Sequence, residues 1–599
     1  MNDKTKNEPA NSQRVPFLPD ALPFNEDQKQ WLGGFMAGLH SRLLVTADNQ
    51  IAAAPVAAPA QKTLTIVYGS QTGNAESMAE LAAEQAKELG MVPVVVDMDD
   101  ADIQQLAQVE RLLVVTSTYG EGEMPDNAQA LWDAVSADDA PSFANTYFSV
   151  LALGDTAYDG FCVAGKMWDT RLAELGGQRI AERIDCDVDF EEPAREWMDK
   201  ALPEIAQKGT QTSSAGVAPA SPVKKEKSKY NRQNPLLADL LTKKVVTGAD
   251  SSKEIYHFEL SLGDSGERYE AGDAVYIVPI NRDDIVAEVL DALSATGDET
   301  VNGNEKNLRG LLVEDLEIRT PSKEFLTALS ERANNDELTA LVNGDNAEAL
   351  ADFLWGKDVV DLLTAYPDAK FNGDEFVALC KPLASRAYSI SSSIDKHENE
   401  VHLTIGSVRY QSHGRTHNGV CSTFLADVAQ VGDKVKCYFA PNKNFAVPAD
   451  NTLPMIMVGP GTGIAPFRAF LEEREVTGAT GDNWLFFGDR NASSDFIYED
   501  EIRAWQESGL LTRLDLAFSR DQAEKIYVQD RMLEKGAEFY AWLEKGAYFY
   551  ICGDAYRMAK DVDAALHQLI EQHGNKSADE AIEYVNALKK QKRYVRDVY

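Results

Sequence analysis

Basic side chains are in short supply in this chain. Its 599 residues hold 58 Lys and Arg against 96 Asp and Glu, a formal charge of −38. That field repels nucleic acid and anionic lipid, which excludes a nucleic-acid or membrane-surface function. It leaves two readings open, docking to a basic protein surface or plain solubility. Cysteine is scarce as well: six residues, Cys162, Cys186, Cys380, Cys421, Cys437 and Cys552, with no C-x-x-C pair. Such scatter argues against a disulfide framework, a zinc site or an iron–sulfur cluster, so no bound metal is expected. No run comes near the roughly 18 consecutive apolar residues of a membrane span. The opening MNDKTKNEPANSQRVPFLPD lacks the apolar core of a secretory signal. A cytoplasmic chain without a membrane anchor is the expectation.

Apolar residues are ordinary in amount, 44% with 9% aromatic, and the length allows about four domains. Residues 1–62 read as a polar leader with one amphipathic helix candidate, NEDQKQWLGGFMAGLHSRLL at 25–44, followed by the linker AAAPVAAPAQK. That helix suits docking or self-association, or packing on its own domain. From 63 to 206 the strand candidates LTIVYG, VPVVVD, RLLVVTS, YFSVLALG and QRIAERI alternate with helical stretches, the pattern of a doubly wound parallel sheet. A Ser/Thr/Ala/Pro/Lys-rich tether spans 207–233. Residues 234–451 are β-like (EIYHFELSL, DAVYIVPI, EVHLTIGSVRY, KVKCYFA), interrupted by an acidic helical block at about 282–370. Residues 452–599 return to alternation, with PMIMVG, NWLFFG, TRLDLAFS and YFYICG as strands. The expected fold class is multidomain α/β, two parallel-sheet regions flanking a β-rich one.

Three loops follow strands of the first α/β region and so gather on one sheet edge. The first, Ser70-Gln71-Thr72-Gly73-Asn74-Ala75, offers hydroxyls and amides ahead of a helix but no lysine. A triphosphatase loop needs that lysine and a dinucleotide fingerprint needs three spaced glycines, so a phosphate monoester remains. The others are Ser117-Thr118-Tyr119-Gly120 and Leu153-Gly154-Asp155-Thr156-Ala157-Tyr158-Asp159-Gly160-Phe161-Cys162. Each brings a tyrosine, and two aromatics beside a phosphate site suit a flat tricyclic ring. Region 63–206 resembles a flavodoxin, which implies FMN as the ligand of these three loops.

In the β-rich region Arg386-Ala387-Tyr388-Ser389, Thr404-Ile405-Gly406 with Tyr410, and Gly419-Val420-Cys421-Ser422 follow in order. An arginine with glycine-turn amides can clamp a pyrophosphate while a tyrosine covers a ring. Next, Gly461-Thr462-Gly463 lies between a strand and a helix, with Pro466 where a dinucleotide fingerprint would put its third glycine. Further on, Ser519, Arg520, Lys525, Ile526, Tyr527, Val528 and Gln529 make a cationic, hydroxyl-bearing cluster in an acidic chain. It suits the 2′-phosphate of NADPH, with Tyr527 on the adenine. Order and spacing resemble the ferredoxin–NADP reductase family. The resemblance implies FAD on a β-barrel at 234–451, NADPH on the domain after it, and contacts from Ser322 and Gly356 on the FAD adenosine side. It also implies a nucleotide contact at Asp561, a catalytic group of Ser389, Cys552 and Asp597, and Tyr599 stacked over the FAD ring.

Together the parts resemble the diflavin reductases over 63–599. The resemblance implies hydride transfer from NADPH to FAD, single electrons from FAD to FMN, and delivery by FMN to an outside acceptor, the tether letting the FMN domain swing. The segments W-L-G-G-F (31–35), N-W-L-F-F-G-D (483–489) and the terminal R-D-V-Y bring the chain nearest to the branch of that family serving assimilatory sulfite reduction. That branch implies a separate sirohaem and iron–sulfur hemoprotein (beta) subunit as partner, cysteine biosynthesis as the pathway, and a homo-octamer built through the leader. Two rivals stay open: a diflavin NADPH reductase for another haem or flavodoxin-type acceptor, and a flavin-binding assembly protein without turnover.

Overall fold

The computed structural model describes residues 62–70, 73–119, 122–137, 139–156, 160–187, 190–209, 228–232, 234–344, 346–442, 444–555 and 557–599. The amphipathic segment at 25–44 and most of the tether lie outside them. From residue 61 on, the chain forms one compact unit, built on three sheets in chain order.

In the first sheet β1 (Lys62–Gly69), β2 (Met91–Asp97), β3 (Arg111–Ser117) and β4 (Tyr147–Leu153) run parallel in the order β2-β1-β3-β4. Two short strands, β5 (Gln178–Arg179) and β6 (Ile184–Cys186), pair with successive parts of β4. A strand covered on both faces has no polar side to present, and β3 obeys: Leu112 through Thr116 are fully buried. The helices Asn74–Glu88 and Glu191–Gln207 cover one face, and Asp126–Ser136 and Val163–Glu174 the other. In this winding order ligands sit outside the carboxyl ends of the strands at the β1/β3 switch point.

The second sheet is antiparallel, in the order β10-β9-β14-β7-β8-β11. Its strands are β7 (Leu236–Val245), β8 (Ile255–Ser261), β9 (Ala274–Val278), β10 (Arg386–Ser389), β11 (Glu400–Gly406) and β14 (Lys434–Ala440). A bridge between Ile390 and Leu403 brings the two edge strands together, closing the sheet into a barrel around Phe258, Val275, Leu403 and Val435. A separate hairpin, β12 (Arg409–Ser412) and β13 (Arg415–Asn418), projects from it. Between β9 and β10 stand helices from Asp283–Leu293 to Gly373–Leu379 with a core of their own.

The third sheet is parallel, in the order β17-β16-β15-β18-β19: β15 (Met455–Val458), β16 (Asn483–Asp489), β17 (Arg513–Phe518), β18 (Tyr548–Gly553) and β19 (Tyr594–Val598). Here the central strands β15, β16 and β18 are buried apolar runs between helical layers. The fold class is the expected one. Among the described residues no helix is long and apolar enough to cross a membrane.

Candidate active site

The parallel pairing of β18 with β19 sets Cys552 directly opposite Asp597. Ser389, at the end of β10, reaches the same carboxylate from the barrel: its Oγ donates to Asp597 Oδ2 at 2.6 Å, and the Cys552 thiol donates to that oxygen at 3.8 Å. The three expected catalytic residues therefore share one oxygen atom. Burial pushes the Cys552 thiol far above its ordinary range, so it stays protonated. Burial also holds Asp597 above the usual carboxylate range, against the opposing pull of the Ser389 and Cys552 hydrogen bonds.

The second glycine loop presses on this group. A Cβ on Gly463 would fall 2.2 Å from the Cys552 carbonyl oxygen, and Gly461 is left-handed at φ 59°. Only glycine lets that backbone come so close. Thr462 lies between them, its Oγ1 3.1 Å from the Tyr599 hydroxyl. The Tyr599 backbone is tied on both sides, its N–H to the Gly553 carbonyl and its carbonyl to the Ala555 N–H. The terminal ring is held in place yet 57% exposed.

At the edge of the first sheet, buried Ser70 accepts from the Gly73 and Ala75 amides at 2.9 and 3.2 Å, and Gly73 takes φ 91°. This cradle of hydroxyl and amides carries no cation. Thr118 accepts from the Ala164 amide, and Thr156 bonds Asp187 through both its amide and its hydroxyl. A Cβ on Gly154 would meet the Cys162 nitrogen at 2.8 Å, and Cys162 itself is buried with φ 56°. The loops carrying Ser117, Leu153, Asp155, Gly160 and Phe161 flank the same edge. Gln71, Thr72, Gly120, Ala157, Tyr158 and Asp159 lie outside the described residues. Among the described residues, contacts from this edge to the rest of the molecule include Tyr119 Oη to the Val598 carbonyl, Asn444 to the Ser70 carbonyl and Lys381 to the Thr156 carbonyl.

On the barrel, Arg386 faces Glu317 at 3.6 Å, Tyr388 stands beside Cys421, and Thr404 bonds the Tyr498 hydroxyl. Ala387 is exposed and Ile405 buried. Gly406 approaches Thr462, a Cβ there lying 3.6 Å from its methyl. Gly419 is hemmed in by Ser422 and Val408, and opens the short helix Val420–Thr423. Tyr410 is half exposed and stacks on His417. Ser322 is buried as the cap of helix Lys323–Arg332, its hydroxyl donating to the Leu379 carbonyl. Gly356, left-handed, packs on Ser412.

Past β17, the Ser519 amide is pinned to the Asp489 carbonyl and the Arg520 amide to the Arg490 carbonyl. The Arg520 and Lys525 side chains are exposed and form no ion pair with another described residue. Tyr527 is 44% exposed, Ile526 half-buried and Val528 buried. Gln529 donates to Asp561 at 3.4 Å, which joins two residues of the expected nucleotide site. Residues the sequence reading missed include Asn127, which accepts from the Ser70 amide and donates to Asp97, and Asp187. Both are small polar residues just past a helix or strand boundary, and nothing local marks them.

The flavodoxin family model matches residues 66–197, the FAD binding domain model 228–424, and the oxidoreductase NAD-binding domain model 457–564. These families carry FMN, FAD and NADPH respectively. The donor sets fit those groups: hydroxyls and amides without a cation for a monoester, an arginine with a tight glycine turn for a pyrophosphate, and a glycine loop closed on a strand end with free cations nearby for NADPH. The chain is 42% identical over 607 residues to the sulfite reductase (NADPH) flavoprotein alpha-component of Bacillus subtilis (strain 168), covering 100% of both chains. It is 41% identical to the protein of that name from Vibrio parahaemolyticus, over 99% of this chain and 96% of the other. Against that of Yersinia enterocolitica it is again 41% identical, over 98% of this chain and 99% of the other. The chain belongs to the family of sulfite reductase (NADPH) flavoprotein alpha-components, diflavin reductases in which a flavodoxin part precedes an FAD-binding and a nicotinamide-binding part.

Proposed function

We propose that this chain draws electrons from NADPH and hands them to a separate sirohaem and iron–sulfur hemoprotein subunit, which reduces sulfite to sulfide for cysteine biosynthesis. The observation that carries the reading is the convergence on Asp597 of Ser389 from the barrel and Cys552 from the last sheet, with the loop of Gly461 and Gly463 pressed against them. A hydride donor bound to one body and an acceptor bound to the other would meet only at such a seam. When bound, the cofactors would supply the redox chemistry: a hydride, an electron pair, from NADPH to FAD, and single electrons from FAD to FMN and outward.

The chain's own residues bind, orient and shield. The loops at 70–75, 117–120 and 153–162 would hold FMN; Arg386–Ser389, Thr404–Gly406, Tyr410 and Gly419–Ser422 would hold FAD, with Ser322, Gly356 and Tyr599 at its margins. Gly461–Gly463, Ser519, Arg520, Lys525–Gln529 and Asp561 would hold NADPH. Ser389 donates to Asp597 and so turns the carboxylate toward the seam, where it can stabilise positive charge developing on a nicotinamide. The protonated Cys552 thiol adds a second donor and does not act as a nucleophile. Tyr599, tied to Thr462, would cover the FAD ring where a nicotinamide has to displace it. A division into a leader (1–62), flavodoxin part (63–206), tether (207–233), barrel with helical insertion (234–451) and NADPH part (452–599) accompanies the reading. So do an oligomer assembled through the leader and a cytoplasmic location, the last supported by six free cysteines, five of them buried.

The test is reconstitution. Purified under native conditions, the chain is expected to hold one FMN and one FAD, and to oxidise NADPH in a sulfite-dependent way only when the sirohaem subunit is added. Reduction of another haem protein, with no sulfite dependence in the presence of that subunit, would move the assignment to a different acceptor.

A further inference from the structure

Among the described residues the hairpin β12–β13 pairs with no other strand. A two-stranded ribbon alone is marginally stable in water, yet this one carries Tyr410, assigned above to FAD. Its anchorage must come from outside the ribbon. Tyr410 stands directly across from His417, and their rings stack with centroids 5.1 Å apart and planes within 8°. His417 is 1% exposed and Tyr410 42%. One face of the phenol ring is spent on the imidazole, and the remainder is open.

The imidazole is itself seated on charge. Its Nδ1 lies 3.3 Å from Asp358 Oδ2 and its Nε2 3.5 Å from Asp361 Oδ2. Those aspartates form the capping box of helix Val359–Ala365, each side chain accepting from the other's amide, so the backbone fixes where their oxygens are. Arg415, two residues from His417 on β13, donates to both at 2.7 and 2.9 Å and also pairs with Glu288. Arg319 spans both strands, donating to the Tyr410 hydroxyl on β12 at 3.2 Å and to the Asn418 carbonyl on β13, with its Nη2 3.4 Å from His417 Nδ1. The acidic pair thus grips β13, and the grip reaches Tyr410 through the ring stack.

We propose that His417 is a positioning residue for the purine half of FAD: seated by the Asp358–Asp361 pair, it fixes the Tyr410 ring so that adenine stacks on the open face. The inference rests on the reading of Tyr410 as an FAD contact. A ring free to turn would have to be ordered at each binding event, and a pre-ordered platform avoids that loss.

The experiment is FAD titration into the full-length chain stripped of FAD, with retained FMN as internal standard. His417→Ala is expected to weaken FAD binding about tenfold, the scale of one lost base–aromatic stack, with FMN content unchanged. His417→Phe, which keeps a flat ring behind Tyr410, is expected to restore most of it. If His417 acts through Tyr410, the His417→Ala/Tyr410→Ala double variant binds no more weakly than Tyr410→Ala alone. Additive losses, no weakening in His417→Ala, or no recovery in His417→Phe would each overturn the proposal. Should His417→Ala not fold, Arg415→Met, which cuts a tie to the acidic pair but leaves the stack, carries the test: weaker FAD binding supports the proposal and unchanged binding overturns it. Unchanged FAD affinity in Tyr410→Ala would remove the platform reading, and the proposal with it.

Discussion

The hydroxyl of Tyr119 donates to the carbonyl of Val598 at 3.2 Å, joining a loop of the first sheet to the strand that carries Asp597. The Arg596 guanidinium stands 5.9 Å from the centroid of the same tyrosine ring. The edge expected to hold FMN therefore rests against the last strand of the third sheet, next to the Ser389, Cys552 and Asp597 group.

Among the described residues, polar contacts extend this docking. Lys590 reaches the Asp99 carbonyl and pairs with Asp100 at 3.3 Å, both side chains exposed; pairs of that kind contribute about 0–1 kcal/mol and are screened by salt. Lys590→Glu combined with Lys381→Ala is expected to shift the equilibrium toward undocked forms by about two- to fivefold, the range such exposed contacts span. Small-angle scattering reads this as a larger radius of gyration, and wild type at high salt is expected to expand in the same direction. A radius indifferent to both changes would mean that apolar packing holds the edge.

Asp597 gives a pH signature. Its raised pKa puts its titration above the ordinary carboxylate range, so the hydride step is expected to fall on the acid side as the carboxylate takes up its proton, at higher pH than a free aspartate would produce. Asp597→Asn is expected to slow NADPH-dependent flavin bleaching on the order of 10²-fold and to abolish the acid limb. Ser389→Ala removes a hydrogen bond that favours the ionised form, so its limb moves to still higher pH. Stopped-flow bleaching across pH distinguishes the three proteins, and an Asp597→Asn profile with the wild-type limb intact would exclude this group.

Arg520 and Lys525 are exposed cations without an ion-pair partner among the described residues, on a chain with 38 net negative charges. Charge-assisted hydrogen bonds contribute roughly 1.5–3 kcal/mol each. Arg520→Ala with Lys525→Ala is expected to raise the KM for NADPH by roughly 10²-fold or more, with little change for NADH, which lacks the phosphate. Steady-state kinetics with both nucleotides is sufficient, and equal effects on the two would refute a 2′-phosphate contact.

Much of this site could be read from the chain because its parts carry local chemistry. Gly461 and Gly463 stand out between a strand and a helix, and the parallel sheets announce themselves as buried apolar runs. The union of Ser389, Cys552 and Asp597 came only from resemblance: their separations, 208 residues for Ser389 to Asp597 and 45 for Cys552 to Asp597, leave no local trace. β7 is absent from the strand candidates because LLADLLTKKV breaks the two-residue period, and its register does shift between Leu240 and Thr242. The start of β12 falls inside the strand candidate EVHLTIGSVRY, since nothing in GSVRYQS marks the break that frees the hairpin. His417 escaped notice for the same reason: its partners Asp358 and Asp361 look like an ordinary helix start.

A cluster of three histidines at the barrel's junction with the third sheet supplies the last expectation. His257 and His402 meet edge to face at 5.1 Å, and His397 lies 4.2 Å from His402. Around them stand Glu259, Glu400, Glu472, Glu501, Tyr498 and Arg468, whose guanidinium bonds the Ser391 carbonyl at 2.5 Å and approaches His402 at 3.5 Å. Burial, then His397, Arg468 and His257, push His402 down to about 2, and burial with Arg468 also lowers His257. A histidine kept neutral in the folded chain loses stability for it as soon as the unfolded chain can take a proton. The loss therefore begins as pH falls through 6.5, the ordinary histidine value, and continues downward. His402 is expected to cost on the order of 1 kcal/mol by about pH 5.5, and more below it, with His257 adding in the same direction. Melting temperatures between about pH 7.5 and about pH 5.5 should drop more steeply for wild type than for His402→Gln, which has no proton to refuse. Parallel slopes would mean that the cluster charges as readily folded as unfolded, and that Glu400, Glu259 and Glu472 outweigh burial.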